Sequence, residues 1–193
     1  KRRSLLRWLP SSLVTLSLAS EAFLMGEEAL ALGGDLPSLN VPAPPFRLQG
    51  VAPSPEGHGD PIPVELSLAD FAGRWLVLYF YPKDFTSGCT LEARGFQRDL
   101  DSFHQRQADV VGVSTDPLDS HESFCGAEGL AYPLLSDPQG SVSRLYGSWL
   151  APMALRHTFL IDPEGTLRAR WVAVRPLAHS QEVLQTLVDF QAS

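Results

Sequence analysis

One cysteine stands just past an apolar run that is typical of a buried strand. The chain has two cysteines, and Cys89 lies near the end of the segment "YPKDFTSGCT", which follows "WLVLYF" directly. A helix is predicted to begin near Cys89 or Thr90, and the neighbours of the cysteine, Ser87, Gly88 and Thr90, are small and polar rather than core formers. Free backbone N–H groups and the positive end of the helix dipole stabilise a thiolate there. An inert, buried cysteine is the alternative, but these neighbours favour a reactive thiol.

Two residues just upstream have side chains that suit such a thiolate. The hydroxyl of Thr86 can hydrogen-bond a thiolate or a bound oxygen atom. Pro82 can cover the site, because it has no N–H group to leave unsatisfied. The carboxyl ends of parallel strands are also where open α/β sheets place their sites. The segment therefore predicts a site built around a reactive sulfur.

The apolar pattern predicts one α/β domain around this segment. "RWLVLYFY" and "ADVVGVST" are continuous apolar runs, as in strands that are covered on both faces. The predicted order is β-α-β-α-β-α-β-β-α, with "YPLLSD" as the third strand and "RHTFLIDPEGTLRARWVAV" as the closing hairpin. This order indicates a thioredoxin-like fold, with a central mixed sheet flanked by helices. The first helix is predicted from apolar residues at spacings of three and four, namely Ala93, Phe96, Leu100 and Phe103.

Two later helices are predicted with specific boundaries. In "DPLDSHESFCGAEG", Asp116 is the predicted N-cap and Pro117 the first helical residue. Gly126 and Gly129 are expected to weaken this helix, by about 1 kcal/mol each relative to alanine. The closing helix "LAHSQEVLQTLVDFQ" is predicted to bury a face formed by Leu177, Val183 (or Leu184), Leu187 and Phe190.

The first residues differ from the rest of the chain. A basic head, "KRRSLLRW", precedes a short apolar stretch, which is typical of an export signal over residues 1–31. "RRSLL" also fits a twin-arginine route to a periplasm or a thylakoid lumen; the alternative is an amphipathic extension on a cytoplasmic protein. No run approaches the roughly 20 apolar residues of a membrane-spanning helix, so stable membrane insertion is not predicted.

A proline-rich stretch follows the predicted signal. Residues 32–40 are interpreted as a linker, and residues 41–193 as the domain. Asp35 to Pro63 contains eight of the sixteen prolines, which disfavours a helix or a central strand. An irregular edge hairpin, "PPFRLQG…PIPVELSL", is therefore predicted as an N-terminal extension of the sheet.

Charge and histidine placement exclude some classes of function. The net charge is -7, and beyond the basic head the lysines and arginines are not clustered, which argues against nucleic-acid binding. No two histidines have metal-ligand spacing, so no metal and no other cofactor are predicted. His121 is expected on a helix surface, and His157 on a strand beside Arg156.

Several motifs in order point to a family. "VLYFYPKDFTSGCT" resembles the active-site segment of peroxiredoxins, with the pattern Pro-x-x-x-Thr-x-x-Cys at Pro82, Thr86 and Cys89. "FYPKDFT…GCTLEA" is similar to the bacterioferritin comigratory protein, or peroxiredoxin Q, branch. "APPFRL", "VVGVSTDPLDSHESF", "YPLLSD" and "RHTFLIDPEG" also agree, so the resemblance runs from about Val41 to Phe190.

The resemblance implies a role for each matched residue. Cys89 would be the peroxidatic cysteine, which attacks the peroxide O–O bond and becomes a sulfenic acid. Thr86 would orient the thiolate and the peroxide, and Pro82 would shield the sulfenic acid from water. Arg156, in "RHTFLID", would sit against the thiolate; an ordinary solvated arginine at a strand end is the alternative.

The chain departs from the branch pattern where a second cysteine is common. The position five residues after Cys89 holds Arg94, which closes that route to a disulfide, and residue 87 is Ser where Pro is common. Cys125, 36 residues after Cys89, is placed like the resolving cysteine of a second group in the branch. An inert cysteine beside the core residue Phe124 is the alternative.

The sequence thus predicts a thiol-dependent peroxidase that acts in antioxidant defence. It would reduce hydrogen peroxide or organic hydroperoxides, form an intramolecular Cys89–Cys125 disulfide, and be re-reduced by thioredoxin or a similar donor, as a monomer. One alternative is a thiol–disulfide oxidoreductase, but "SGCT" lacks the expected C-x-x-C. The other is an exported binding domain with a structural disulfide between the same cysteines.

Overall fold

The computed structural model describes residues 33–54 and 60–192. The predicted export signal therefore lies outside the described residues, as does residue 32 of the predicted linker. The described residues form nine strands and four α-helices. The strands are β1 (Arg47–Ala52), β2 (Ile62–Ser67), β3 (Trp75–Phe80), β4 (Ala108–Ser114), β5 (Leu134–Ser136), β6 (Trp149–Leu150), β7 (Met153–Ala154), β8 (His157–Ile161) and β9 (Leu167–Trp171). The helices are α1 (Ser87–Gln105), α2 (Leu118–Glu128), α3 (Ser141–Leu145) and α4 (His179–Gln191).

Seven strands form one mixed sheet in the order β2-β1-β5-β4-β3-β8-β9. The β3, β4 and β5 strands run parallel, whereas β8 pairs antiparallel with β3, and β1 pairs antiparallel with β5. The proline-rich stretch contributes β1 and β2 as an antiparallel edge hairpin. The predicted thioredoxin-like arrangement is therefore confirmed.

The central strand β3 is buried on both faces, as its continuous apolar run predicts. Side chains alternate across a strand, so Val77 and Tyr79 pack into one core with residues of α1, α2 and α4. Leu76, Leu78 and Phe80 pack into a second core on the opposite face. The strand is therefore held from both sides, which fixes the position of its carboxyl end.

Helix α1 lies against β3 through the predicted apolar face. Ala93, Phe96, Leu100 and Phe103 are all buried. The ring of Phe96 stacks on that of Tyr79 with a centroid separation of 4.8 Å. The helix begins at Ser87 after the N-cap Thr86, slightly earlier than the sequence predicts.

Helix α2 differs from its prediction at both ends. Its N-cap is Pro117 rather than Asp116. Instead of capping, the Asp116 carboxylate accepts hydrogen bonds from the backbone N–H of Asp84 and from the Ser114 hydroxyl. Gly129 lies outside the helix as a left-handed C-cap (φ 61°), a conformation that glycine favours, so it terminates the helix rather than weakening it.

The apolar face predicted for α4 is correct except at its start. Val183 and Leu187 are fully buried, and Phe190 packs against the same core. Leu177 is 78% exposed, so its predicted place on this face is wrong. The chain enters the helix through Ala178 with a φ of 63°, which turns Leu177 out of the helical repeat.

The domain extends slightly before residue 41. Within the predicted linker, the backbone N–H of Asn40 donates to the carbonyl of Leu167 in β9 at 2.7 Å. The Arg170 side chain donates to the carbonyl oxygen of Pro37. Among the helices of the described ranges, none combines the length and apolar character needed to cross a membrane.

The stacking of α1 on β3 makes the Phe96 ring a main support of the sheet. We expect Phe96→Ala to lower the free energy of unfolding by about 3–5 kcal/mol, because it leaves a cavity in a closely packed core. Leu177→Ala is the matched control and should change it by no more than about 0.5 kcal/mol. Denaturant unfolding measures both, and equal losses would contradict this account of α1 and α4.

Candidate functional site

The segment between β3 and α1 places Cys89 at the start of the helix. The first α1 hydrogen bond in this region runs from the N–H of Thr90 to the carbonyl of Thr86. Cys89 is the third helical residue, so it lies among the N–H groups that have no acceptor within the helix. Its side chain is 1% exposed. The sulfur therefore sits in a buried place with positive backbone potential.

Arg156 is brought to the sulfur by the pairing of two strands. Because β3 and β8 are antiparallel, with Phe80 opposite His157, the residue before β8 lies at the carboxyl end of β3. The Arg156 Nη2 atom donates to the Cys89 Sγ atom at 3.3 Å. The predicted neighbourhood of Arg156 and Cys89 is therefore present. As predicted, His157 is a strand residue beside Arg156, and its Nδ1 atom is buried without a partner among the described residues.

A residue that the sequence analysis missed completes this arrangement. Glu92 lies one turn after Cys89 on α1 and is 1% exposed. The Arg156 Nη1 atom donates to its carboxylate. Burial raises the pKa of Glu92 to about 7, although Arg156 acts in the opposite direction. The sequence does indicate a buried carboxyl group here, because Glu92 stands three residues from Cys89 on the apolar side of a helix that buries Ala93 and Phe96.

The approach of Arg156 depends on a residue without a side chain. A Cβ atom on Gly88 would lie 3.1 Å from Arg156 Nη2, tighter than ordinary packing, and 3.8 Å from the Pro176 ring. Glycine therefore leaves room for the guanidinium against the first turn of α1.

Thr86 and Pro82 lie in the predicted segment, but Thr86 does not hydrogen-bond the Cys89 sulfur. The Thr86 hydroxyl donates to the carbonyl of Lys83 at 3.0 Å and not to the sulfur. Its lone pairs stay available to accept a hydrogen bond. Pro82 is half-buried in the turn after β3.

Cys125 lies in the last turn of α2, within the same apolar core as Cys89. Both cysteines are free and buried. Burial, together with the nearby Asp84 carboxylate, raises the pKa of the Cys125 thiol to about 12. In this conformation Cys125 is a neutral thiol.

His121 is buried, so its predicted place on a helix surface is wrong. Its Nδ1 atom lies 2.9 Å from the Asp84 carboxylate, and its Nε2 atom lies 3.2 Å from the carbonyl oxygen of Leu135. The two polar contacts compensate for burial of the ring. Across residues 33–54 and 60–192, no three His, Cys, Asp or Glu side chains are grouped so that they could hold a metal ion.

Comparisons with known proteins agree with this geometry. The AhpC/TSA family model matches residues 39–170. Peroxiredoxin Bcp of Xanthomonas campestris is 39% identical over 64% of this chain and 82% of its own length. The mitochondrial thioredoxin-dependent peroxide reductase of Drosophila melanogaster is 36% identical, over 93% of this chain and 84% of its own length.

A solved structure shows that the likeness extends to the fold. Peroxiredoxin Q of Xanthomonas campestris superposes with a TM-score of 0.65 at 31% identity, covering 82% of this chain and 97% of that one. The resemblance found in the sequence is thus confirmed. The chain belongs to the AhpC/TSA family of peroxiredoxins, in the branch of Bcp and peroxiredoxin Q, and is an oxidoreductase of the peroxidase class.

Proposed function

We propose that the protein reduces hydrogen peroxide and organic hydroperoxides through Cys89, as part of antioxidant defence. The thiolate attacks one peroxide oxygen, the O–O bond breaks, and Cys89 becomes a sulfenic acid while the second oxygen leaves as water or an alcohol after protonation. The observation that carries this proposal is the Arg156 guanidinium, 3.3 Å from the Cys89 sulfur at the start of a helix.

Arg156 supports both the nucleophile and the leaving oxygen. Its positive charge stabilises the thiolate in a buried place, where electrostatic interactions are stronger than in water. As the O–O bond breaks, negative charge moves from sulfur to the departing oxygen, and the same fork of donors can follow it. Glu92 holds the other edge of the guanidinium, so the fork is fixed before the substrate arrives.

Thr86 and Pro82 have proposed roles next to Cys89 and Arg156: Thr86 in binding the peroxide and Pro82 in limiting the access of water. The Thr86 lone pairs can accept a hydrogen bond from the peroxide hydroxyl while its own O–H group donates to the backbone carbonyl of Lys83. Pro82 would limit the access of water to the sulfenic acid. Both residues lie in the short segment that joins β3 to Cys89.

Cys125 is proposed as the resolving cysteine. Its sulfur would attack the Cys89 sulfenic acid, forming the S–S bond and releasing water. A disulfide needs Cα atoms roughly 4.4–6.8 Å apart, and the two cysteines lie in different helices, so the last turn of α2 must open locally. The carbonyl of Cys125 accepts the N–H groups of the helix cap at Gly129 and Leu130, and these bonds would break in that opening.

A dithiol protein of the thioredoxin class is proposed to reduce the disulfide, giving back two thiols. The name of the Drosophila melanogaster relative supports this class of donor. Cys89, Glu92, Arg156 and Cys125 all come from one chain, so we propose that a monomer is sufficient. Export across a membrane stays a prediction from residues 1–31, which determination of the mature N-terminus would test.

Thiol and peroxide stoichiometry tests the function directly. One equivalent of hydrogen peroxide added to the reduced protein should be consumed with the loss of two thiols. We expect Cys89→Ser to abolish this consumption, and Cys125→Ser to consume one equivalent and stop at a sulfenic acid or an intermolecular dimer. Persistence of peroxide with the wild-type protein would contradict the proposal. A structural disulfide that resists added thioredoxin would instead favour a binding domain.

Removal of the guanidinium tests the role of Arg156. We expect Arg156→Ala to lower the second-order rate constant of Cys89 oxidation by about 10²–10³-fold, as for the loss of a donor to a developing oxyanion. Arg156→Lys should recover only part of the rate, because lysine keeps the charge but lacks the planar fork. Arg47→Ala, on the edge hairpin, is the control, and an equal loss there would contradict the assignment.

The buried carboxyl of Glu92 predicts a pH-dependent difference in stability. Its pKa is raised in the folded protein from 4.5 to about 7, so its stabilising contribution is full below pH 4.5 and is lost as the pH rises through 7. Between pH 4 and pH 8, the wild type should lose on the order of 3 kcal/mol relative to Glu92→Gln. Urea unfolding at both pH values measures this. A difference that stays constant with pH would show that the pKa of Glu92 is the same in the folded and unfolded states, which would contradict a carboxyl group perturbed by burial.

A further inference from the structure

A compact set of contacts joins the segment before Cys89 to the helix that carries Cys125. We call this set the latch. On one side it is formed by residues at the end of β3 and in the turn before α1, and on the other by residues of α2. The members are Tyr81, Asp84 and Phe85 on the first side and Ser120, His121 and Phe124 on the second.

The polar half of the latch is centred on the Asp84 carboxylate, which is buried. Its Oδ2 atom accepts the Ser120 hydroxyl at 2.7 Å and lies 2.9 Å from His121 Nδ1. Its Oδ1 atom accepts the Tyr81 hydroxyl at 2.8 Å. One carboxylate thus bonds the residue that follows β3 and the first turn of α2 at once.

The apolar half is a single aromatic contact. The ring of Phe85 meets the buried ring of Phe124 edge-on, with centroids 5.1 Å apart. Phe85 has a φ of 60° and is 55% exposed. Aromatic residues rarely adopt this backbone conformation, so the surrounding contacts must hold it. The neighbouring bonds of Asp84 to Asp116 and of Thr86 to Lys83 supply that constraint.

Latch residues lie close in sequence to both cysteines. Phe85 precedes the N-cap Thr86, so the latch sets where α1 begins and where Cys89 lies. Phe124 precedes Cys125, so the same contact holds the last turn of α2 in the core. Peroxide attack needs this closed arrangement, whereas the disulfide step needs α2 to open.

We propose that Asp84, Ser120 and His121 are positioning residues that couple the two chemical steps: the closed latch aligns Cys89 for peroxide, and its release frees Cys125. This inference rests on the resolving role proposed above for Cys125. The hydrogen bonds of α2 to one carboxylate set the cost of release. A weaker latch should therefore slow Cys89 oxidation and speed disulfide formation.

The raised pKa of Cys125 also keeps this thiol unreactive while the latch is closed. Burial and the Asp84 charge keep its thiol protonated while the latch is closed. Release of α2 removes both effects, and the thiolate is the nucleophile in disulfide chemistry. Cys125 is thus held unreactive until Cys89 has been oxidised and α2 has opened.

The test compares two serines on α2. Ser120 donates to Asp84 across the latch, whereas Ser123 donates to the carbonyl of Asp119 within the same helix. We expect Ser120→Ala to speed the conversion of sulfenic acid to disulfide about tenfold, as for the loss of one hydrogen bond to a charged group. Ser123→Ala should leave this rate unchanged, and Ser120→Thr should restore the slow rate. Reduced protein is mixed with one equivalent of peroxide, quenched with acid at set times and analysed by mass spectrometry.

A second variant separates positioning from simple loss of stability. Asp84→Asn, made in a Cys125→Ser background, should slow Cys89 oxidation several-fold, and with Cys125 present it should speed disulfide formation. General destabilisation, as in Phe96→Ala, does not predict rate changes of opposite sign.

Two negative results have different meanings. If the wild type forms no Cys89–Cys125 disulfide, the resolving role fails, and the coupling fails with it. If the disulfide forms at equal rates in Ser120→Ala and Ser123→Ala, the coupling alone is overturned and the proposed peroxidase function stands.

Discussion

The placement of one guanidinium between a sulfur atom and a carboxyl group is the constraint on which the site depends. Arg156 donates to the Cys89 sulfur and to the Glu92 carboxylate, and both partners are almost fully buried. A buried charge without partners costs several kcal/mol, so each of the three groups needs the others. Arg156 is 67 residues from Cys89 in sequence. Only the antiparallel pairing of β8 with β3 brings them together, and the two cores around β3 keep that pairing fixed.

The raised pKa of Glu92 means that its carboxyl group does not fully offset the positive charge of Arg156. Burial raises it to about 7 even though Arg156 acts against that shift. Because its pKa is raised toward neutral, Glu92 opposes the positive charge of Arg156 less strongly than an ordinary, fully ionised carboxylate would. A guanidinium with charge to spare can stabilise a thiolate and then an oxyanion. Full ionisation of Glu92 would weaken that capacity, and its loss would leave the fork unsupported.

The sequence was most informative where structure follows from local periodicity. The continuous apolar run of β3 and the spacing of Phe96 and Phe103 correctly predicted a doubly buried strand and the helix packed on it. Errors occurred where a partner distant in sequence decides the outcome. His121 is polar and was expected on the surface, but a carboxylate 37 residues away satisfies it in the core. Glu92 was overlooked for the same reason, because its partner is 64 residues away. The prediction that Leu177 is buried is wrong because one residue, Ala178, adopts a left-handed backbone conformation just before α4.

Burial of both cysteines in one core bears on the order of the two steps proposed for them. The Cys89 sulfur is 1% exposed and held by the Arg156 donor, so a peroxide can be attacked from one fixed direction. The same packing holds the second thiol neutral and within a helix. In the proposed cycle, the closed conformation favours oxidation and prevents resolution, and the free energy of local opening separates the two steps. Because opening free energies within one native protein range from near zero to the global value, a few contacts of α2 can set the rate of resolution without changing the fold. Asp84 is the residue at which these demands meet, since it bonds α2 and bears on the protonation of Cys125.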